Sequence, residues 1–390
     1  MEALGRYYTE NIVSTLLIKS IYARNPNVII DLGIGEGALT KAAHKKWSQA
    51  KFYAIDIDKK QILVTQKELP FVKIKAANGT NSNYLSKLEI TYGSVDVAVC
   101  NPPYIKIKKS RRYNRLFKKA ELNNCHKLKY YTSDLIFLAH NLTMLKSGGI
   151  LGIILPDGLL TSHDFRLLRE DLLSNHTVKS VIQLPDKIFK KTEARTHILI
   201  IQKGSKSEQK KVELSLTNRQ GESIDSLKID KSDLVKRMDF TYHKWKIAQK
   251  ESSKTLGSLN AEIRRGSCSY KELREIDRNY FHTTDFKGKT SHYFTKDTYD
   301  DSKVVASKGD ILVARVGKRC IGRVTIIRRG NIILSDCVYR IRVEKEYQEQ
   351  VLNALLSDNG QNWMSKMSHG VCAQVISKKD LICFPLTFPD

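Results

Sequence analysis

The sequence predicts an α/β protein in two parts: a doubly wound, Rossmann-like domain over residues 1–245 and a smaller α+β domain over residues 246–390. Three observations predict it. Through the first part, short apolar runs alternate with helix-period segments, the pattern of a mostly parallel sheet covered on both faces. Chemistry-bearing residues stand at the ends of successive runs, where open α/β sheets bind their ligands. Beyond Thr255 the pattern changes to short strand-like runs with glycine turns and a late helix near Gln348–Met364. A chain of 390 residues exceeds one ordinary core and suits two.

Taken in order, Ile12, Val13, Leu16, Leu17, Ile21 and Tyr22 share one face of a helix over residues 10–23, with Thr9 as its cap. A strand at Val28–Asp31 runs into Gly33-Ile34-Gly35-Glu36-Gly37, followed by a helix from Ala38 to about Trp47. The second strand, Phe52–Ile55, ends in Asp56-Ile57-Asp58, and the third, Val72–Ala76, ends in Ala77-Asn78-Gly79. The fourth, from Val95, delivers Asn101-Pro102-Pro103-Tyr104. Lys106 to Lys129 reads as a polar, very basic interruption. A helix opens at Ser133-Asp134 and runs to Lys146, where Gly148-Gly149 stop it before a fifth strand, Ile150–Leu155. A helix near Arg166–Leu173 and strands at Val178–Leu184 and Ile198–Gln202 follow. After the charge-rich break at 204–211, Val212-Glu213-Leu214 can still pair with the first sheet.

Charged residues at 27% and hydrophobic ones at 41% mark a globular chain, and no apolar run approaches the length of a membrane span. The N-terminus carries no signal-peptide pattern, so a soluble, cytoplasmic protein is expected. The net charge of +25 calls for a polyanionic partner. Nucleic acid is favoured over an anionic membrane, because no basic amphipathic helix with a lipid-facing side stands out. The seven cysteines are scattered without a Cys-x-x-Cys pair, and read as buried thiols rather than disulfides or a metal site.

The glycine turn after Asp31 permits close approach of a ligand to the backbone, and Asp56 can accept both hydroxyls of a ribose. Dinucleotides and S-adenosylmethionine both satisfy this pattern. Pyrophosphate binding would require the third glycine two residues further on, where there is none. An Asn at the end of a buried strand, beside a peptide locked by prolines, offers two rigid oxygens that hold both hydrogens of one exocyclic amine.

In this order, Leu4-Gly5-Arg6-Tyr7-Tyr8-Thr9, the Asp31 glycine loop, Asp56, Asn78 and Asn101-Pro102-Pro103-Tyr104 resemble the gamma class of adenine-N6 DNA methyltransferases. The methylation subunits of type I restriction-modification systems belong to that group. The resemblance implies an S-adenosylmethionine site made by Tyr7, Tyr8, Thr9, Asp31, Gly33, Ile34, Gly35, Asp56, Ile57, Asn78, Gly79, Asn101 and Phe137. Within it, residues 7–9 close over the methionine part, Asp56 holds the ribose, and Ile57 and Phe137 wall the adenine. Asn78 stands where the family usually has Asp; its amide oxygen can still accept from the cofactor's adenine amine.

The implied reaction transfers a methyl group to N6 of an adenine flipped out of duplex DNA. The Asn101 side-chain oxygen and the Pro102 carbonyl would orient the amine, with Tyr104 stacking on the base. The segment Leu184-Pro185-Asp186-Lys187-Ile188-Phe189-Lys190-Lys191 resembles the family stretch whose aromatic, here Phe189, supplies a second stacking face. Lys106, Lys108, Lys109, Arg111, Arg112 and Arg115, with Lys190, are expected to grip phosphates from a loop that orders on DNA. Three stretches of the second part resemble one target-recognition domain of a type I specificity subunit. They are Leu259–Gly266, His282–Phe286 and Gly309–Gly317, and the run Gly370–Ser377 continues the likeness. Arg264, Arg265, Arg315, Lys318 and Arg319 are its candidate DNA contacts.

Expected partners are double-stranded DNA and either a second copy of the chain or a separate restriction or specificity subunit. No acidic pair with a nearby Lys marks a nuclease, so cleavage is expected to come from another chain. RNA-base or protein-glutamine methylation, and a non-catalytic specificity subunit, are the alternatives. A protein substrate does not explain the charge, and RNA does not predict the second part.

Overall fold

The computed structural model describes residues 9–186, 188–189, 195–204, 209–248, 254–275, 279–286, 292–317, 319–369 and 374–386. The chain divides into two compact units, residues 1–244 and 245–390.

The first unit is built on a nine-stranded sheet. Its strands are β1 (Val28–Leu32), β2 (Lys51–Asp56), β3 (Val72–Ala76), β4 (Val95–Cys100), β7 (Leu145–Pro156), β8 (Thr177–Gln183), β9 (Thr196–Gln202), β10 (Lys211–Thr217) and β11 (Ser223–Asp230); β5 (Lys106–Ile107) and β6 (Tyr131–Thr132) form a separate ribbon. The order is β3-β2-β1-β4-β7-β9-β8-β10-β11. β3, β2, β1, β4 and β7 run parallel to one another, and β9 is antiparallel to both β7 and β8. The sequence reverses direction across the sheet between β1 and β4, a topological switch point with the carboxyl ends of the strands on one edge.

Two-residue alternation sorts the strand side chains into two cores. Ile30 and Leu32 of β1, Ala98 and Cys100 of β4, and Leu151 and Ile153 of β7 enter one; Ile29, Val97, Val99 and Ile154 enter the other. The helices α1 (Asn11–Ser20), α2 (Ala38–Lys46) and α3 (Lys59–Glu68) are followed by α4 (Tyr84–Leu88), α5 (Arg111–Lys119), α6 (Ser133–Met144), α7 (Asp157–Thr161) and α8 (Arg166–Asn175). α1 and α2 supply the second core, whereas α4, α5, α6 and α8 supply the first. Helix α1 lies close on β7 at Gly152, where a Cβ would come within 2.8 Å of Leu17 and Ile21.

Four local expectations are corrected. The Lys106–Lys129 stretch is not an open loop, because Tyr113, Leu116 and Phe117 recur on one face of α5 and are buried in the first core, leaving the cations on the other face. Gly148 and Gly149 lie inside β7 rather than ahead of it: β4 comes so close that a Cβ on Gly149 would meet the Asp96 carbonyl at 3.1 Å, and the β4–β7 register shifts there. Thr9 does not cap α1; Glu10 occupies that position without a side-chain cap bond. The late helix is two, Gln348–Leu356 and Asp358–Met367, because Ser357 leaves the helical conformation and its hydroxyl accepts from the Gly360 N–H. Val212–Leu214 belongs to β10, which pairs in parallel with β8.

The second unit contains a five-stranded sheet, in spatial order Glu262–Arg265, Val338–Arg342, Ile311–Ala314, Val324–Arg329 and His292–Phe294. A three-stranded sheet of short strands accompanies it. Leu312, Ala314, Ile327, Leu334 and Phe281 share its core.

One buried cation braces the first unit. Arg169 of α8 is fully enclosed and donates to four carbonyls, those of Leu159 (3.1 Å), Ser162 (2.9 Å), Val235 (3.0 Å) and Lys236 (2.7 Å). Replacing it takes a donor from each of four carbonyls, that of Leu159 buried, and leaves a cavity. Arg169→Ala is expected to cost about 3 kcal/mol or more, read as a lower urea midpoint for the transition that reports the first unit.

Candidate functional site

Four groups converge on the carboxyl edge because four neighbouring parallel strands end there. β1 leads into a glycine turn held from beneath, since the N–H groups of Gly33 and Ile34 both donate to the Ile55 carbonyl at 2.9 Å. The Gly35 N–H donates to Asp56 Oδ2 at 2.9 Å, so the carboxylate that ends β2 is tied to the turn that follows β1. The second Asp56 oxygen accepts from the Asp58 N–H at 2.9 Å. Gly37 has a φ of +76°, and a Cβ there would lie 2.5 Å from Leu69, so this position requires glycine. Ile34 turns its side chain into the second core, leaving only its backbone to the turn.

Asp31 is 3% exposed. Its Oδ2 accepts from the Thr40 hydroxyl at 2.8 Å, and its Oδ1 has no hydrogen-bond partner. Burial pushes its pKa up to about 7; the Thr40 bond opposes the rise and the Asp56 charge adds to it. Ile57, immediately after Asp56, is 52% exposed at the same edge.

Asn101 emerges directly from β4. Its Nδ2 donates to Thr9 Oγ1 at 2.9 Å, and its Oδ1 accepts from the Tyr104 hydroxyl at 3.1 Å. The N-terminal segment and the tetrapeptide are thus brought together, as the sequence order alone could not establish. Ser133, the first residue of α6, holds the tetrapeptide's far end. Its hydroxyl donates to the Pro103 carbonyl and accepts from the Ile105 N–H at 3.0 Å, while its own N–H donates to the Ile105 carbonyl at 2.8 Å. Sequence reasoning placed Ser133 at a helix start and missed this second bond set; a serine at a helix start thirty residues downstream gives no sign of it. One turn along α6, Phe137 packs against the backbone of Gly79, where a Cβ would come within 2.5 Å of the ring, and lies 3.6 Å from the Cβ position at Gly33.

Two expected roles meet other geometry. The Asn78 side-chain oxygen accepts from both the N–H and the hydroxyl of Thr80, each at 2.9 Å, so it shapes its own loop instead of presenting a vacant acceptor. Phe189 is 3% exposed within the second core, so it presents no open stacking face: the run that contains it satisfies its aromatic by burial. Tyr7, Tyr8, Lys190 and Lys318 lie outside the described residues.

Among the cations, Lys108, Arg111, Arg112, Arg115 and Arg319 are exposed. Lys106 rests over the Tyr130 ring at 5.4 Å, and Lys109 is drawn to the Leu128 carbonyl at 2.6 Å. In the second unit, Arg264 pairs with Glu262 at 2.5 Å and Arg265 with Asp336 at 2.5 Å, and Arg315 donates to the Asp336 carbonyl at 2.9 Å. Arg264 is engaged within its own strand, and Arg265 and Arg315 by the turn at Asp336, which reduces what they can offer a phosphate. Among the described residues no cluster of three or more His, Cys, Asp or Glu is arranged to hold a metal ion.

The family described as N-6 DNA Methylase matches residues 2–296. The type II methyltransferase M.BsuBI of Bacillus subtilis is 23% identical over 239 residues, covering 54% of this chain and 46% of that protein. The methylase subunit of the type I restriction enzyme MpnII of Mycoplasma pneumoniae is 24% identical over 218 residues, covering 51% and 40%. The chain therefore spans less than half the length of these curated relatives. The crystal structure of the type IIG restriction endonuclease BpuSI shares the fold across 100% of this chain and 59% of its own, with a TM-score of 0.51 and 14% identity. With well over half of its length matched to that family, this chain belongs to the N-6 DNA methylases.

Proposed function

We propose that the protein methylates N6 of an adenine extruded from duplex DNA, using S-adenosylmethionine, and that its second unit recognises the target sequence. One observation carries the reading: Asn101-Pro102-Pro103-Tyr104 follows β4 directly, on the edge where β1 and β2 end in the Asp31 and Asp56 glycine turn.

The residues fit the cofactor. Asp31 Oδ1 is a buried acceptor without a donor, which an ammonium such as that of the methionine part would satisfy. Asp56 stands at the ribose position, and exposed Ile57 with the Phe137 ring offers apolar surface to an adenine. When bound, the cofactor supplies an electrophilic sulfonium methyl group. The chain's part is orientation. The adenine N6 lone pair is conjugated with the ring, and hydrogen bonds to the Asn101 oxygen and the Pro102 carbonyl localise it and fix its direction. Tyr104, whose hydroxyl already meets the Asn101 oxygen, supplies a ring for the extruded base. The amine's extra proton leaves to water, so no strong general base is required.

Duplex binding rests on the net charge of +25 and on the cation-rich face of α5. Target recognition by the second unit rests on its sequence likeness to a type I specificity domain. A second copy of this chain, or a separate restriction or specificity subunit, is the partner this reading implies.

The direct test is incubation of unmodified duplex DNA with the protein and S-adenosylmethionine, with N6-methyladenine quantified by mass spectrometry. Asn101→Ala is expected to lower the rate by about 10²–10³-fold while cofactor binding persists; methylation of RNA alone, or an unchanged rate in the variant, would overturn the reading. A second test uses Asp31. Without ligand its pKa is raised to about 7, so the stability it contributes in the protonated form is lost as pH rises through about 7. A cationic group beside it favours the carboxylate. Calorimetry near pH 6 should show proton release on cofactor binding, with affinity rising toward pH 7; Asp31→Asn should abolish both.

A further inference from the structure

A cleft of about 560 Å³ opens in the first unit between the 80–83 loop and α5. It shares no lining residue with the glycine turn, Asp56, Phe137 or Asn101. Its volume falls within the range of small-ligand sites. Arg112, Arg115 and Lys119, spaced three and four apart, place their cations on one face of α5 and line the cleft together. Among the described residues no carboxylate lines it.

The three cations are held without being neutralised. Arg112 donates to the Tyr113 hydroxyl at 2.7 Å, and Lys119 lies over the Tyr92 ring at 3.6 Å. Arg115 has neither a hydrogen-bond nor an ion-pair partner among the described residues. Like charges at this spacing repel, and an anion between them would remove the repulsion. Opposite them, Ser82 brings a hydroxyl and Asn81 and Asn83 bring amides, while the Thr80 hydroxyl is committed to Asn78. At the base lies His140, 3% exposed and bonded through Nδ1 to the Tyr84 hydroxyl at 3.1 Å. Burial lowers its pKa to about 4, so it is a neutral polar floor and the charge of the cleft comes from α5 alone.

We propose that this cleft is a phosphate seat, in which Arg112, Arg115 and Lys119 face the Ser82 hydroxyl and the Asn81 and Asn83 amides across one phosphate group. The group comes either from the backbone of bound DNA or from a free nucleotide. In the first case the seat deepens the duplex-binding part of the function proposed above, and it uses nothing from the methyl-transfer part.

The test compares the full chain with its Arg115→Gln/Lys119→Gln form and with Arg115→Lys. Both should unfold at the wild-type temperature and bind S-adenosylmethionine as wild type does, which separates failure of the seat from failure of the cofactor reading. Pyrophosphate and ADP are titrated by calorimetry, and a 20-base-pair duplex is titrated at several salt concentrations, alone and with pyrophosphate. A backbone seat predicts that pyrophosphate competes with the duplex. The double variant should then bind the duplex at least about tenfold more weakly, with the slope of log affinity against log salt shallower by about two. A nucleotide seat predicts that ADP binding weakens at least about tenfold while the duplex affinity and slope stay unchanged. In either case Arg115→Lys should retain most of the binding. Wild-type behaviour of the double variant toward pyrophosphate, ADP and duplex alike would overturn the proposal.

Discussion

The site depends on β4 being paired on both sides. It lies between β1 and β7 and is parallel to both, with Val97, Ala98, Val99 and Cys100 fully buried. A strand clamped at both edges and on both faces cannot slide by one residue without turning a whole set of side chains to the wrong core. Its end is therefore a fixed point, and Asn101 is the next residue. The glycine turn after β1 is fixed relative to that point by the β1–β4 pairing, and Asp56 is fixed to the glycine turn by its bond to Gly35. Three pieces of the site thus inherit their placement from one ladder.

Rigidity of this kind suits orientation chemistry. Holding an amine and an electrophile in line gains most when the groups doing it have already lost their freedom. Asn101 is restrained at both ends of its amide, by Thr9 and by Tyr104. A chemically costly feature is Asp31, a carboxyl group buried with an acceptor left over. Folding alone gives no return for that burial, which is what supports the counter-charge role proposed for it.

Much of this was legible in the sequence because the signals were local or periodic. The strands β1 to β4 are short apolar runs with polar residues at their ends, and the termini Asp31, Asp56, Asn78 and Asn101 could be placed before any coordinates. What escaped depended on partners far along the chain. Nothing near Ser133 announces that its hydroxyl serves Pro103 and Ile105, and nothing near Phe189 shows that the second core will enclose it. The basic stretch after Tyr104 misled for another reason: its cations dominate the composition, while the apolar residues that order α5, though at helical spacing, are only three. In the second unit, an arginine and its partner such as Arg265 and Asp336 stand 71 residues apart in the sequence, so the pairing had no sequence signature.

Helix α6 joins two things usually considered apart. Its first residue pins the loop that would present the target amine, and Phe137, one turn later, packs on the backbone of Gly79 and faces Gly33. The helix is buried along its entire length, so it has little room to bend between those two points. A slide of α6 along its axis therefore carries both points with it. On the function proposed above, the gap between the bound cofactor and the target amine is then held by a single ruler, and its length is insensitive to motions that shift the ruler as a whole.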